Sequence, residues 1–304
     1  MFVHEGLYYR SRHEYVTGTL DFVRDGLAAG DPVLVAVPAD RHELLREALG
    51  TDADAVRFRD MTEAGRNPNC IIPWVLNAFV EEHRPRRARI IGEPVFVGRS
   101  ADEIGPCVQH EALINVAFRE AEAMILCPYD IAQLPDIVSD AEHTHPVIVE
   151  PDGSRRPGDY LEPLTVVEMH NRPLTEPTTV DEAIVFDVPR LADVRRLVAQ
   201  HAAAAGLSED RVADAQVAVT EIATNALRHG GPQLATLRAW SDARRVTYEI
   251  RGAGRISDPL AGRVPPAPHR PHGRGLLVAN LLCDLVQTHT VLTGTVTRLH
   301  LYLT

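Results

Sequence analysis

The chain contains no lysine, because all 31 of its basic residues are arginines. A Schiff-base lysine and the lysine of a phosphate-binding GxxxxGK[ST] loop are therefore excluded. The sequence also lacks an apolar run near the roughly 18 residues that a membrane span needs, and residues 1–15 lack the apolar core of a signal peptide. Four cysteines without close pairs form neither a disulfide framework nor a paired zinc knuckle. We therefore expect a cytoplasmic protein with reduced thiols.

Aromatic residues make up only 5% of the 304 residues, but the hydrophobic fraction of 45% suffices for about two globular domains. The net charge of −11 is unevenly distributed. Residues 1–180 contain 17 arginines against 30 acidic residues, whereas residues 181–304 contain 14 against 12. This difference predicts two units with different partners, and the acidic first half disfavours nucleic acid as its ligand.

Short apolar runs alternate with helical patterns from residue 12 to about residue 142. The predicted strands are 32–37, 55–61, 88–92 and 123–130, and the predicted helices are 12–29, 39–49, 71–84 and 101–121. Strands without a polar face are typical of a mostly parallel sheet that helices cover on both faces. Ligands of such sheets bind at the carboxyl ends of the strands.

Residues 143–182 are rich in proline and predict a wrapping tail followed by a linker. A second unit begins with a strand near Ala183, and helices 190–205 and 209–229 follow it. After two hairpin-like strands and a Gly/Pro-rich loop come a helix over 274–284 and two final strands. The pattern predicts an α+β unit with helices on one face of a mixed sheet.

The predicted helix 209–229 carries Glu221, Asn225 and His229 at intervals of four residues, so they share one ridge. A carboxylate and an amide beside a buried stripe can orient a hydroxyl and complete a Mg²⁺ shell with phosphates. Gly273 and Gly275 precede another helix, where backbone N–H groups can approach phosphate oxygens. The second unit therefore has the residue types of a nucleotide site.

Four segments in the same order, TEIATNALRHGG, RGAGRISDP, GRGLLVANLLCDLV and GTVTRLHL, resemble the GHKL (Bergerat-fold) ATPase domain of anti-sigma-factor serine kinases. The resemblance covers about residues 183–304. It implies a two-layer α+β fold with ATP and Mg²⁺ as cofactors. It also implies that the domain sequesters a sigma factor and acts as a serine/threonine kinase on an anti-sigma-factor antagonist.

The resemblance implies a role for each matching residue. Glu221 takes the place of the catalytic acid, and Asn225 takes that of the Mg²⁺-binding amide. The other implied cofactor contacts are His229, Gly252, Gly254, Gly273, Arg274, Gly275, Leu276 and Thr295.

One position departs from the family pattern, because Gly252 stands where the family has an aspartate that accepts a hydrogen bond from adenine. Losing such a partner costs about 1–3 kcal/mol, or roughly tenfold to a hundredfold in affinity. We therefore predict weak, base-tolerant nucleotide binding that Gly252→Asp tightens about tenfold if the backbone there still fits adenine. A catalytically dead binding module remains an alternative.

The first unit resembles the MEDS sensory domain, which often precedes such an ATPase domain. The segments HEGLYYRSRHEY, GEPVFVGRS, HEALINVAF and LCPYD followed by HTHP carry this resemblance over about residues 1–165. The predicted division is thus a sensory domain over 1–165, a linker over 166–182 and an ATPase-like domain over 183–304.

Six polar residues of the first unit predict a pocket for an unknown small molecule at the strand ends. They are Glu93, His110, Glu111, Asn115, Tyr129 and Asp130. A metal site is a weaker interpretation, because Cys107-x-x-His110 and His143-x-His145 lack a spaced partner pair. Haem, with His4, His110 or Cys127 as ligand, is weaker still.

Together these features predict a two-domain regulator whose sensory domain controls an anti-sigma-factor-like domain. The expected partners are a sigma factor or its antagonist protein and a small-molecule ligand, without direct nucleic acid or membrane contact; a homodimer is compatible with this arrangement. A sensor histidine kinase is the alternative enzyme class. It needs a phosphoacceptor histidine on a long helix before the ATPase unit, whereas residues 165–182 are short, contain prolines and include only His170.

Overall fold

The computed structural model describes residues 1–228, 234–265 and 273–303. The chain divides into two compact units, Met1–His170 and Asn171–Thr304. The division falls inside the range 166–182 that the sequence predicts as a linker. None of the helices in the described ranges combines the length and the apolar character needed to cross a membrane.

The first unit is built on a seven-stranded sheet. Its strands are β1 (Val3–Tyr9), β2 (Val33–Val37), β3 (Val56–Asp60), β4 (Ala88–Gly92), β5 (Ala123–Asp130), β6 (Val147–Glu150) and β7 (Gly153–Arg155). Their spatial order is β3-β2-β4-β5-β1-β6-β7. Every neighbouring pair is parallel except β6 with β7. β1 therefore lies between β5 and β6, although the sequence predicted no strand before residue 32.

Seven α-helices accompany this sheet within the described part of the unit. They are α1 (Arg12–Ala28), α2 (Ala39–Leu49), α3 (Met61–Ala64), α4 (Asn77–His83), α5 (Ala101–Ala117), α6 (Val138–Thr144) and α7 (Pro163–Met169). A π-helical turn over Ile72–Leu76 leads into α4. The four helices predicted from the sequence are confirmed at α1, α2, α4 and α5.

Helices cover both faces of this sheet, as the continuous apolar strands predict. Every residue of β2 and β4 is buried. Leu126 of β5 belongs to the core that α1 and α2 cover, whereas the next residue, Cys127, contacts Glu111 of α5. Because consecutive strand residues point to opposite faces, α1 and α5 lie on opposite sides of the sheet. The mostly parallel α/β class is confirmed.

The second unit contains a five-stranded sheet with the order β11-β12-β10-β9-β8. The strands are β8 (Glu182–Phe186), β9 (Ala235–Ser241), β10 (Arg245–Gly252), β11 (Leu285–Val291) and β12 (Gly294–Tyr302). The expected mixed sheet is wrong, because every neighbouring pair is antiparallel. Two helices between β8 and β9 return the chain to the end where β8 finished, so β9 runs back beside β8. β11 is parallel to β10, but β12 separates them.

Helices α8 (Leu191–Ala204), α9 (Glu209–Arg228) and α10 (Gly275–Leu282) pack with this sheet into one hydrophobic core. The buried stripe of α9 includes Ala215, Val219 and Ile222, as its helical spacing predicts. The expected two-layer α+β class of the second unit is confirmed.

Candidate functional site

Helix α9 holds Glu221 and Asn225 on one ridge beside its buried stripe. Ile222 and Ala223 point into the core at 5% and 0% exposure, whereas Glu221 and Asn225 are half-buried. Because packing of the stripe fixes the rotation of the helix, the carboxylate and the amide are held toward the same side. This placement follows directly from the spacing in the sequence.

The first turn of α10 lies against these two side chains. A Cβ atom at Gly275 would lie 2.6 Å from Glu221 Oε2 and 3.0 Å from Asn225 Nδ2. Only glycine allows this approach without displacement of one of them. The start of a helix carries backbone N–H groups without intrahelical partners and the positive end of the helix dipole. A carboxylate, an amide and an anion-attracting helix end are therefore adjacent.

Two threonines fix the loop that follows β10. Thr295 of β12 lies opposite Gly252 in the sheet register, and its hydroxyl donates to Gly254 O at 2.7 Å. The Thr290 hydroxyl lies 2.9 Å from that of Thr295 and accepts from Ile256 N at 3.3 Å. These bonds hold the backbone after β10 open toward α9 and α10.

A cavity of about 570 Å³ lies between α9, the end of β10, the following loop and the start of α10. Its volume is in the usual range for small-molecule and cofactor sites, about 300–1,000 Å³. Ile222, Ile250 and Leu276 supply apolar wall, while Asn225, Arg228 and Asp258 supply polar groups. The cavity has the volume and the mixed apolar and polar lining of a ligand site.

The structure brings most of the predicted cofactor residues to this cavity. Those that line it are Asn225, Gly252, Gly254, Gly273, Leu276 and Thr295. Arg274 and Gly275 adjoin the cavity at the start of α10, and Glu221 of α9 lies against Gly275. His229 lies outside the described residues. Their role in nucleotide binding remains a prediction.

Sequence reasoning missed several residues that also line the cavity, namely Ile222, Ala226, Arg228, Ile250, Arg255, Ile256, Ser257, Asp258, Ala261 and Thr297. Arg228 follows Asn225 by three residues on α9, so helical spacing offered a signal for it. Arg255, Ile256, Ser257 and Asp258 lie in the segment RGAGRISDP, so the family resemblance offered a signal for that loop. Their positions at the cavity depend on the threonine contacts across the sheet.

Gly252 lies in direct contact with α9. A Cβ atom there would lie 2.7 Å from the Ala226 Cβ atom and 3.1 Å from both its Cα and its carbonyl oxygen. Real Cβ contacts below 3.0 Å essentially do not occur, and the neighbours here are backbone or backbone-attached atoms. We predicted that Gly252→Asp tightens ATP binding if the backbone there still fits adenine. The contact with Ala226 leaves no room for an aspartate side chain, so this condition is not met.

The structure does not bring the six predicted pocket residues of the first unit into one place. Tyr129 and Asp130 are consecutive residues of β5 and point to opposite faces of the sheet. Asp130 accepts from Gln133 Nε2 at 2.6 Å and from Gln133 N at 3.1 Å. Glu93 lies with tyrosines of β1 and α1, while His110 is buried on α5. Of the six, Glu93 and Asp130 both lie near Tyr9 of β1, whereas Tyr129 points to the other face of the sheet.

Glu93 is a buried carboxylate, 1% exposed, at the end of β4. The hydroxyls of Tyr9 and Tyr15 donate to it at 3.2 and 3.3 Å. Burial raises the pKa of Glu93 to about 8, although Arg41 and the two hydroxyls favour its charged form. Near neutral pH a large share of Glu93 is therefore protonated in the folded state.

Glu93→Gln is expected to remove a pH-dependent loss of stability. The folded-state pKa of Glu93 lies above the unfolded value of about 4.5, so the free energy of unfolding falls as pH rises from about 4.5 to about 8. Each unit of difference between the two pKa values contributes about 1.4 kcal/mol. Glutamine keeps a hydrogen-bonding side chain without titrating, so the variant should gain stability over the parent across this range.

Urea unfolding at pH 5 and pH 8.5 measures this effect. The chain has two tryptophans, and a Trp240→Phe background leaves Trp74 to report on the first unit. Glu63→Gln, at an exposed position of the same unit, serves as the control. Equal pH dependence in the Glu93→Gln variant and its parent would contradict the assignment.

The other three predicted pocket residues, Glu111, Asn115 and Tyr129, surround two buried histidines. These are His4 and His145, whose ring centres lie 4.2 Å apart. His4 Nδ1 lies 3.1 Å from Asn115 Oδ1, and the Tyr129 ring lies 5.4 Å from that of His145 in an edge contact. Burial, together with His145, lowers the pKa of His4 to about 4. Burial and the Glu111 carboxylate raise the pKa of Tyr129.

Neither of the two metal-ligand pairs considered from the sequence lies whole in the group of four potential metal ligands that the described residues bring together. Cys107 Sγ donates to Pro94 O at 3.4 Å, away from the buried histidine pair. His145 packs against His4. The four potential metal ligands that include these two histidines contain neither His143 nor His110. Spacing within one helix or loop therefore did not predict which side chains come together as potential metal ligands.

Comparisons with known proteins match each of the two units to a different family model. The family model described as MEDS, MEthanogen/methylotroph, DcmR Sensory domain, matches residues 3–146, and the histidine kinase-like ATPase domain model matches residues 184–301. A search of the curated proteins found no match. Among solved structures, the crystal structure of the RsbU and RsbW domains of a Mycobacterium tuberculosis protein is similar at 17% identity and a TM-score of 0.29. The alignment covers 40% of this chain and 32% of that one, so the match spans about a third of its length. The two family models therefore confirm a MEDS sensory domain in the first unit and a histidine kinase-like ATPase domain in the second.

Proposed function

We propose that this chain is a signalling regulator whose MEDS domain senses a ligand and controls a nucleotide-dependent, anti-sigma-factor-like output domain. The observation that supports this best is the convergence of Asn225, Gly254, Gly273 and Thr295 on one cavity beside Glu221. These residues come from four separate motifs of the sequence. Their meeting at a single cavity supports a common ligand.

The α10 end of the cavity suits the phosphates of a nucleotide. The start of α10 offers N–H groups and the positive end of a helix dipole, and Arg228 adds a cation at the wall. The Asn225 amide oxygen is a suitable Mg²⁺ ligand, and Glu221 beside it is placed to orient a hydroxyl group. Bound Mg-ATP would supply the phosphoryl group, while these side chains hold and orient the reactants.

At Gly252 the cavity differs from the family, which has an adenine-binding aspartate there. Gly252 offers no carboxylate, and its contact with Ala226 fills the place where one would begin. Ile222 and Ile250 form apolar wall nearby, which favours stacking of any base over selection of one. We propose weak binding of Mg-nucleotides with little distinction between ATP and GTP.

The proposed partner is a sigma factor or its antagonist protein, with phosphorylation of a serine or threonine of the antagonist. This output is supported by the resemblance of the four motifs and by the near-neutral charge of the second half. A catalytically dead binding module is the second candidate, which Gly252 favours. The histidine kinase alternative is not proposed: before β8 the nearest described helix, α7, has only seven residues and ends before His170.

Glu221→Ala is expected to separate partner binding from phosphoryl transfer. Binding to a sigma factor or antagonist needs a surface, whereas transfer also needs the carboxylate that orients the attacking hydroxyl. We expect unchanged partner affinity and a loss of transfer by at least about a hundredfold. The sigma factors and antagonist proteins of the source genome, each purified, are tested for binding and for label from radioactive ATP.

The matched control is Glu209→Ala, which removes an exposed carboxylate from the first turn of the same helix and should change neither activity. Acid-stable label on a partner that disappears only in Glu221→Ala would support the kinase. Intact binding without any label would select the dead module. Acid-labile, base-stable label on the chain itself would indicate phosphohistidine and overturn the proposal.

A further inference from the structure

Four buried side chains of the first unit converge although they come from distant parts of the chain. They are His4 of β1, Glu111 of α5, Cys127 of β5 and His145, which follows α6, and we call them the β1–β5 cluster. None is more than 2% exposed. Their four ligand-type atoms all lie within 4.8 Å of one another. Two nitrogens, one oxygen and one sulfur therefore share a closed space.

Four of the six separations between these atoms match the edges of a metal coordination tetrahedron, and the other two are at most 4.8 Å. Glu111 Oε2 lies 3.2 Å from His4 Nε2, 3.5 Å from His145 Nε2 and 3.3 Å from Cys127 Sγ. Cys127 Sγ lies 3.4 Å from His4 Nε2. Zinc bonds of about 2.0–2.3 Å in tetrahedral geometry require donor-to-donor distances of about 3.3–3.8 Å. Four measured edges therefore already lie within about 0.1 Å of that range.

Neighbouring groups orient both imidazoles so that a nitrogen lone pair faces the cluster. Asn115 Nδ2 donates to Thr144 O at 2.8 Å, which turns Asn115 Oδ1 toward His4 Nδ1 at 3.1 Å. His145 Nδ1 lies 2.9 Å from Ala141 O, which can only accept. Each Nδ1 therefore carries the hydrogen of the neutral ring, and each Nε2 is left as an acceptor. Metal-binding histidines are typically fixed in this way.

The cluster then has more acceptors than hydrogens. With both ring hydrogens used outside it, the Cys127 thiol and the Tyr129 hydroxyl beside Glu111 supply two hydrogens for two Nε2 atoms and the two oxygens of the Glu111 carboxylate. Glu111 Oε1 and His145 Nε2 accordingly have no hydrogen-bond partner in their buried positions. A divalent cation with a thiolate, a carboxylate and two neutral imidazoles gives zero net charge. Such a cation would bind all four ligand atoms, including the unpartnered His145 Nε2, without burying an uncompensated charge.

We propose that His4, Glu111, Cys127 and His145 form a four-coordinate site for a divalent transition-metal ion, with Zn²⁺ as the preferred ion. Imidazole and thiolate donors disfavour Mg²⁺ and Ca²⁺, which prefer oxygen ligands. Because the protein supplies all four donors and buries them, the site has no open position for a substrate. It is a structural or regulatory site of the sensory domain and does not depend on the proposed nucleotide function.

Metal binding at this site would join the central strands of the sheet to the helices that cover one face. β1 and β5 are neighbours in register, and His145 lies two residues before β6, the other neighbour of β1. Because an ion that binds only the folded state stabilises that state, bound metal should raise the thermal midpoint of the first unit. Loss of metal would loosen the contact between β1 and α5.

The test uses the full chain, prepared without a histidine tag under reducing conditions. After dialysis against EDTA, zinc is added back and the bound metal is measured by mass spectrometry. Cobalt is added to a second sample. We expect one metal ion per chain, a near-ultraviolet thiolate-to-cobalt absorption, visible bands of tetrahedral cobalt and a higher thermal midpoint. Because this measurement uses the unmodified chain, its result does not depend on whether a variant folds.

Two variants and a control assign the ion to these residues. Cys127→Ser should lose the thiolate-to-cobalt band, while Cys283→Ser, which removes a buried thiol from the second unit, should keep it. Asn115→Ala should keep the spectrum but bind about 10–100-fold more weakly, because it frees the His4 ring. An unmodified chain that binds no zinc or cobalt at micromolar concentration, or a band that survives in Cys127→Ser, would overturn the proposal.

Discussion

Replacing Glu249 by glutamine is expected to lower the free energy of unfolding of the second unit by about 3 kcal/mol, because it removes the carboxylate that three arginines share. Glu249 is fully buried in β10, and the sheet register places Arg238 of β9 and Arg298 of β12 directly opposite it. Arg298 Nε donates at 2.7 Å, Arg238 Nε at 2.9 Å and Arg251 Nε at 2.8 Å. Without the charge, Arg238 and Arg251 would keep Glu176 as a partner, whereas Arg298 would lose the carboxylate to which its Nε donates.

The loss is placed at the low end of the range for breaking a buried ion pair, because the arginines are not equally buried. The side chain of Arg251 is 39% exposed, whereas that of Arg298 is 9% exposed. Water screens the more exposed charge and reduces its contribution. Arg298 should therefore carry most of the effect.

The same contacts predict how the difference depends on pH. Burial alone would raise the pKa of Glu249, but hydrogen bonds from Arg251, Arg298 and Arg238 outweigh it and hold the pKa below its usual value. The stabilisation is thus present above the unfolded pKa of about 4.5 and is lost as pH falls through the lower folded-state pKa. The stability gap between Glu249→Gln and its parent should narrow in acid.

Urea unfolding followed by Trp240 fluorescence, in a Trp74→Phe background, measures the second unit. Trp240 suits this purpose because the Arg298 guanidinium lies 5.3 Å from its ring centre, so it reports on the same network. Glu182→Gln removes an exposed carboxylate from β8 and should have little effect. If Glu249→Gln is as stable as this control at pH 7, the network contributes nothing and the account is wrong.

The placement of Glu221 and Asn225 beside the cavity was predictable, because the spacing that brings them together is local. Glu221 and Asn225 are four residues apart on a helix whose buried stripe is evident in the sequence, so their shared ridge follows from the helical period. Gly275 could be placed at the start of a helix from the apolar residues that follow it. The contact between Gly252 and Ala226 could not, because it depends on how closely α9 crosses β10.

The β1–β5 cluster was not predictable as a unit, because its residues are separated by up to 141 positions in the chain. His4 lies on a strand that the sequence did not reveal, since the charged and glycine positions of VHEGLYY interrupt its apolar pattern. Cys107-x-x-His110 had suitable spacing but the wrong location. In contrast, the separation of Tyr129 from Asp130 follows from the strand period of two and could have been predicted once β5 was identified.

Introducing an aspartate at Gly252 is expected to destabilise the second unit rather than to create selectivity for adenine. The new Cβ atom would meet the Ala226 Cβ atom at 2.7 Å, and its backbone neighbours at 3.1 Å cannot rotate away. Overpacking of this kind costs about 1–3 kcal/mol, because α9 must shift against the sheet. That shift would also displace Asn225 and the cavity wall.

Gly252→Ala separates the effect of the added Cβ atom from that of the added charge, because alanine has the Cβ atom without a carboxylate. It should already show most of the loss of stability by Trp240 fluorescence. Ala253→Asp is the matched control, since it adds the same carboxylate at the next, exposed position and should unfold like the parent. Calorimetry with Mg-ATP and Mg-GTP should give similar, weak affinities for the parent and Ala253→Asp, and no gain for ATP in Gly252→Asp. If Gly252→Asp instead keeps the parent's stability and binds ATP at least about tenfold more tightly than GTP, then α9 yields readily and the aspartate reads the base as it does in the family.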